Sequence, residues 1–394
     1  MLCYAPMNLL YICAALFAGE WFASLRPAAC GSWPLFAIAA ALAALLGHGF
    51  RLPGWSLVAT AFAGAALFFL AVAPHEEELR LSPWLRDRPR RARSSAAATP
   101  LRRAFSRQAA VGIERDAEAC AVNRAILLGE RWRLKPELRR AFVESGSIHV
   151  FAISGLHVMI VARTLMVLLM LAFVPQRLAS AAALPPLWLY VYMIGAPPSA
   201  VRAAAMASLY LLAPVFWRRP DALRAWSLTF LAVHLADPRM VADVGCRLSF
   251  TVMLALILAV RPAERLGSLW AKALFFSFAA WAAGVPIAAS MFGRITPGGI
   301  VANLVLLPTA ALSVAAGVLG ALAGFVSETA AAHLNNLAAL VTKAMTGVSR
   351  AAAGLGWASF DVKPWGIADC SAWYTALTVV FLLLKKKLRE RQCI

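Results

Sequence analysis

Two histidines and two Ser-Gly pairs fall within twenty residues, Phe142–Val161 (FVESGSIHVFAISGLHVMIV), where the chain turns strongly apolar. These are residue types that donate, accept and relay protons. If the segment from 154 onward is helical, Ser154, His157 and Thr164 follow a stripe near i, i+3 and i+10, with Ser147 one heptad earlier. A polar stripe on an apolar helix faces protein or water rather than lipid. One reading is a face that lines or gates a pathway. The other is interhelical hydrogen bonding by Ser and His, with Gly permitting close approach. A third chemistry, Ser154 as nucleophile with a histidine base, lacks a nearby acid to orient the base.

Four further places carry polar or helix-breaking residues inside apolar sequence. Pro197-Pro198-Ser199-Ala200-Val201-Arg202 sets an arginine just inside a segment entry, suited to an anionic ligand, a buried carboxylate or the interface. Asp243-Val-Gly-Cys-Arg247-Leu-Ser249-Phe250 opens another segment, and Asp243 suits a helix N-terminus there. Gly284-Val285-Pro286 interrupts a third. Asn303 and Pro308 stand within a long apolar run. There is no Walker A sequence and no HEXXH, and the six histidines form no tight cluster with acids. No cofactor and no metal are expected.

The elements that must position these residues follow from composition. Of 394 residues 61% are hydrophobic and 14% charged, with a mean hydropathy of +0.72. A soluble globule cannot hide that much apolar surface. The expected fold is an all-α polytopic membrane protein of about ten to twelve transmembrane or re-entrant helices, with amphipathic helices at the membrane interface. Candidate spans are 7–25, 33–50 and 55–73, then 148–173, 182–196, 198–216, 222–236, 247–260, 270–291 and 298–325, and finally 370–384. Segment 329–355 either spans or lies flat. The expected organisation is an N-terminal block at 1–73, a basic linker at 74–119, a main membrane domain at 120–325, and C-terminal helices with a basic tail at 326–394. Met1–Pro6 carry no Lys or Arg, so the first apolar stretch is expected to be retained as a span. The seven cysteines show no paired spacing.

The net charge is +19, which suits an anionic partner such as lipid headgroups or nucleic acid. Residues 75–147 hold 16 of the 38 Lys and Arg and 10 of the 19 Asp and Glu, so their net charge is +6. Much of the remaining excess sits in short loops and the tail, where it orients spans. That assignment places Arg218-Arg219, Arg261 with Arg265, and the Lys385–Arg389 tail in the cytoplasm, with 75–147 outside.

In order, SGSIHVFAISGLHV, PPSAVRA, DVGCRLSF, GVPIA and NLVLLP resemble the competence region of ComEC-type DNA-uptake proteins. Ala125–Arg131 fits the same pattern. Cys246-Arg247 departs from it, standing where the family usually has an aromatic residue and Gln. The resemblance implies a channel in the bacterial inner membrane that passes single-stranded DNA into the cytoplasm during natural transformation. It implies membrane lipid, a DNA receptor, a separate nuclease and a cytoplasmic ATPase as partners. The motif positions it carries over are Gly146, His149, Ser154, Gly155, His157, Arg202, Asp243, Ser249, Asn303 and Pro308. Fuller members add an OB domain and a nuclease domain; neither is legible here, and a short, channel-only member without enzymatic activity is expected. Beside it, Arg86, Arg88, Arg90, Arg91, Arg93, Arg102, Arg103 and Arg107 form a candidate electrostatic funnel for DNA. An unrelated transporter, an intramembrane serine hydrolase and a truncated member without function are the alternatives.

Overall fold

The computed structural model describes residues 99–390 apart from 152, 237–239, 241–242 and 356. The expected spans at 7–25, 33–50 and 55–73, and Arg86, Arg88, Arg90, Arg91 and Arg93, lie outside the described residues. The described chain is almost wholly helical, as expected for an all-α membrane protein.

Local chemistry sets the helix ends. α1 (Pro100–Gln108) begins at Thr99, whose side chain accepts the Arg102 N–H, with Pro at the first helical position. α2 (Ala117–Leu128) is capped by Asp116 and stopped by Gly129 at φ +71°. α3 (Pro136–Glu144) again starts on Pro. A short 3₁₀ turn, Ile148–Phe151, precedes α4 (Gly155–Leu171), whose N-cap is Ser154. Then come α5 (Gln176–Ala182), α6 (Leu184–Met193), α7 (Pro198–Leu212) and α8 (Ala222–Ala236). α9 (Val244–Glu264), α10 (Leu269–Phe292) and α11 (Gly298–Ala323) are the three described helices long and apolar enough to cross a membrane. α12 (Glu328–Ala353) and α13 (Ile367–Glu390) complete the chain. A two-residue antiparallel ribbon pairs β1 (Arg294–Ile295) with β2 (Phe360–Asp361).

The expected spans over 182–236 are built as shorter helices. α6 has 10 residues and α7 has 15, or about 15 and 22 Å at 1.5 Å per residue. Both fall short of a hydrocarbon core of about 30 Å. Segment 329–355 is a single helix, α12, packed along α11. Asn335, Thr342 and Ser349 are fully buried on its inner face, and Leu337 and Leu340 are exposed.

The largest core cluster joins α2, α3, α4, α6, α7 and α11, with Phe142, Phe151, Ile126–Leu128, Leu187 and Leu306 at its centre. α2 is therefore embedded rather than laid on a surface. Its Asn123 is fully buried and donates through Nδ2 to the Ala109 carbonyl at 2.9 Å. α3 keeps an amphipathic split, with Leu138 and Phe142 buried and Arg139 and Arg140 exposed. Ser145, Ser147 and Ser349 close a buried hydroxyl triangle, with Oγ–Oγ distances of 2.5, 2.9 and 2.8 Å, that ties the end of α3 to α12.

Pro286 within α10 explains how α13 docks. Proline has no N–H, so the carbonyl four residues earlier, Ala282, loses its helical donor. Trp373 Nε1 of α13 donates to that carbonyl at 2.9 Å. Tyr374 donates to the neighbouring Ala283 carbonyl at 3.0 Å. The helix break is a docking point for another helix.

Candidate functional site

The N-terminal ends of α4, α7, α9 and α11 are drawn together by short contacts. Ser199, in the first turn of α7, donates to the Ile153 carbonyl just before α4 at 2.8 Å. Arg202, one turn further, donates through Nη2 to the Gly245 carbonyl in the first turn of α9 at 2.8 Å. Gly155 leaves its open face against Ala203 of α7 and Met253 of α9. On the other side, Gly146 follows α3 at φ +72° and lies against Thr296, two residues before α11. Gly299, in the first turn of α11, faces the Gly146 carbonyl.

Each helix N-terminus presents unsatisfied N–H groups and a partial positive charge. Two of the four ends are closed by their own residues. Asp243 caps α9 by accepting the Cys246 N–H at 2.6 Å. At α4 the Ser154 backbone N–H donates to His157 Nδ1 at 3.3 Å, and Ser154 Oγ lies 3.1 Å from the same nitrogen. An Nδ1 that accepts an N–H carries no proton, so the neutral ring is the Nε2–H tautomer. That Nε2 is buried without a hydrogen-bond partner among the described residues. His157 is only 1% exposed.

Of the remaining motif residues, His149 lies near this ring. His149 is exposed and its Nδ1 lies 3.1 Å from the Gly146 carbonyl. His149 and Arg131 are both within electrostatic reach of His157. Arg131 donates through Nε to the Phe151 carbonyl at 2.7 Å, which fixes the 3₁₀ turn. Arg202 is 3% exposed, and its Nε, like Asn303 Oδ1, is a buried polar atom without a hydrogen-bond partner among the described residues. Gly245 has Asp243 Oδ1 and Arg202 Nη2 beside its open face. Ser249 is one helical turn before Met253, on the face that meets Gly155. Asn303 is one turn after Gly299, on the face that meets Gly146. Pro308 is exposed, further along α11.

Nine of the ten motif positions, all but Pro308, thus fall in one region, and Arg202, His157 and Asn303 each bring a buried polar atom with no hydrogen-bond partner among the described residues. A buried group left in that state costs about 1–3 kcal/mol. Ser154 and His157 touch, as a nucleophile and base must. Among the described residues, however, no acid is bonded to the ring's other nitrogen.

The funnel arginines divide. Arg103 and Arg107 are exposed on α1. Arg102 points inward, 5% exposed, donating to the Leu128 and Met193 carbonyls at 3.2 and 3.3 Å and pairing with Glu130 at 3.5 Å. Buried Glu130 also takes Arg133 at 2.6 Å. Nothing in the residue pattern separates Arg102 from its neighbours except its place on the face that carries Phe105. Outside the membrane helices, Arg294 donates to Asp361 at 2.7 Å across the ribbon, which holds the Asp361 carboxyl below its ordinary range. Beside the ribbon, Trp281, Trp365 and Trp373 pack with ring centroids 5.9 and 5.5 Å apart. The spacing of these tryptophans in the sequence shows no such grouping.

The chain is similar to known proteins. A family model described as "Competence protein" matches residues 126–387. "ComE operon protein 3" of Bacillus subtilis (strain 168) is 27% identical over 191 residues. That region is 48% of this chain and 25% of the relative, so the likeness spans about a quarter of that protein's length. No solved structure matches the chain.

Proposed function

This chain belongs to the competence protein family, and on that footing we propose that it passes single-stranded DNA across the bacterial inner membrane during natural transformation. The observation that carries the reading is the meeting of four helix N-termini around Arg202, His149, His157 and Asn303. Single-stranded DNA is a polyanion, and phosphates are favoured where helix N-termini and a guanidinium face the same space. The orphan polar atoms of Arg202, His157 and Asn303 suit a wetted path, where water or phosphate oxygen completes their bonds. Gly146 lets the turn after α3 approach Thr296 more closely than a side chain would allow, which brings these helix ends together. Arg103 and Arg107, with the basic residues before them in sequence, would gather the strand at the mouth.

The partners would be the strand itself, a DNA receptor, a nuclease and a cytoplasmic ATPase. Net positive charge at the C-terminal ends of the helices, from Arg218-Arg219 and Arg261 with Arg265, favours placing those ends in the cytoplasm and the motif end outside.

The Ser154–His157 contact favours one second reading, an intramembrane hydrolase. Deleting the gene and complementing with variants separates the two. Wild type restores transformation. Arg202→Gln is expected to lower it at least tenfold, since an interaction of about 1.4 kcal/mol already equals that factor. Under the channel reading Ser154→Ala loses only a cap, worth about 1 kcal/mol, and retains partial uptake. A hydrolase would lose all activity on Ser154→Ala and be indifferent to the strand's charge. Full transformation by Arg202→Gln at normal protein level would overturn the channel reading.

A further inference from the structure

At the end opposite the motif region, two turns carry an exposed group of aromatic, aliphatic and arginine side chains. α4 ends at Leu171 and the chain turns through Phe173 at φ +60° into α5. α7 ends at Leu212 and turns through Trp217 at φ +57° toward α8. Arg177, in the first turn of α5, lies with its guanidinium carbon 3.3 Å from the Trp217 ring centroid. This contact ties the two turns together.

The exposure of the group is unusual. Phe173 is 96% exposed, Trp217 81%, Leu171 71% and Phe216 67%. Left-handed backbone at a non-glycine residue costs about 1–2 kcal/mol, and here it occurs twice, at residues whose rings point away from the core. Water does not favour such a surface, but a bilayer interface does, since aromatic rings settle at the level of the headgroups. The charge agrees. Arg177, Arg218 and Arg219 are all exposed. The neighbouring acid, Asp221, is engaged by Arg224 at 3.4 Å, and among the described residues no carboxylate lies within ion-pair distance of Arg177, Arg218 or Arg219.

We propose that this patch binds the phosphate headgroups of anionic phospholipid. A guanidinium lying on an indole has its face covered by the ring and its N–H edge left outward. That edge matches two phosphate oxygens. Trp217 holds Arg177 ready, so little side-chain freedom is lost on binding. Arg218 and Arg219 supply adjacent charge, and Phe173, Leu171 and Phe216 enter the acyl boundary. The patch thereby fixes the depth of the C-terminal ends of α4 and α7 in the bilayer. This inference does not depend on what the motif region transports.

The test uses the full chain in neutral detergent, with native mass spectrometry after adding phosphatidylglycerol or phosphatidylcholine. Wild type is expected to retain more phosphatidylglycerol than phosphatidylcholine. Arg177→Gln/Arg218→Gln/Arg219→Gln should bring phosphatidylglycerol down to the phosphatidylcholine level. Trp217→Ala keeps all three charges and should lower phosphatidylglycerol retention about two- to fivefold, the loss of one exposed cation–π contact. Each single Arg→Gln change, which disturbs the fold less than the triple, should give a partial loss. Excess inorganic phosphate should leave retention unchanged. Equal retention of the two lipids by wild type, or undiminished phosphatidylglycerol in the triple and single variants, overturns the proposal. So does displacement of phosphatidylglycerol by a short single-stranded oligonucleotide, which would mark the patch as a nucleic-acid contact.

Discussion

Replacing Gly146 by alanine tests the join between α3 and α11, where half of the motif region is assembled. Gly146 sits at φ +72°, and a Cβ there would lie 2.8 Å from Thr296 Cβ and 3.0 Å from its Oγ1. The left-handed backbone alone costs alanine about 1–2 kcal/mol. The overlap adds about 1–3 kcal/mol, as for other overpacked sites. The whole cost of Gly146→Ala is then about 2–5 kcal/mol. Thr296→Gly removes every atom the new methyl would strike. In that background Gly146→Ala should cost only the conformational part, about 1–2 kcal/mol. The difference between the two backgrounds is the coupling energy of a double-mutant cycle. Unfolding of the four proteins in mixed micelles, followed by circular dichroism, measures it. Transformation should follow the same order, because the Gly146 carbonyl both meets Gly299 and holds His149. If Gly146→Ala costs the same in both backgrounds, within about 0.5 kcal/mol, the contact between the turn and Thr296 does not govern this join.

Four further outcomes are expected. Trp373→Phe should destabilise the fold by about 1–3 kcal/mol, because it strands the Ala282 carbonyl; in a Pro286→Ala background the restored N–H fills that carbonyl, and the loss should shrink in the same unfolding assay. Arg102→Met should cost about 3–5 kcal/mol, the penalty for breaking a buried pair, and a cost below about 1 kcal/mol would show that Glu130 is satisfied by Arg133 alone. His149→Cys in a cysteine-free chain should react fastest with a water-soluble thiol reagent and His157→Cys more slowly, following their exposure; protection of both would count against a wetted path. Asp116 has its carboxyl held below the ordinary value of 3.8, first by the Ala119 N–H and then by Lys343. Its contribution is therefore present above the unfolded-state value and is lost as pH falls through the lower folded value. Acid unfolding should be displaced for Asp116→Asn, which keeps the cap but cannot titrate.

Much of the candidate site was legible because the signals are local. Asp243 caps a helix as a short acidic residue before an apolar run does. Ser154 stands on the polar stripe with His157 and is the N-cap of α4. The apolar runs at 244–264, 269–292 and 298–323 are helices of membrane-spanning length. Other features depend on neighbours distant in sequence. Arg102 belongs to an arginine-rich stretch, and only the packing of α1 against Leu128 and Met193 turns it inward. Pro286 reads as a kink, but its freed carbonyl meets Trp373, 91 residues from Ala282. The three short helices α6, α7 and α8 look like spans by hydropathy, because apolar content does not reveal where Pro and Gly divide a run.

By itself the sequence determined that the chain is an apolar, helical membrane protein, and its ordered motifs carried the resemblance to the competence family. Those properties follow from side-chain hydrophobicity, from periodicity and from residue order, all of which survive without a fold. Tertiary structure decided that motif residues from α4, α7, α9 and α11 meet at their N-terminal ends. It also decided that Arg202 reaches Gly245, and that Arg177 lies on Trp217. These depend on backbones brought within a few ångströms by glycine and alanine at crossings whose angles no residue pattern encodes, and on buried polar atoms whose partners are chosen only when the helices pack.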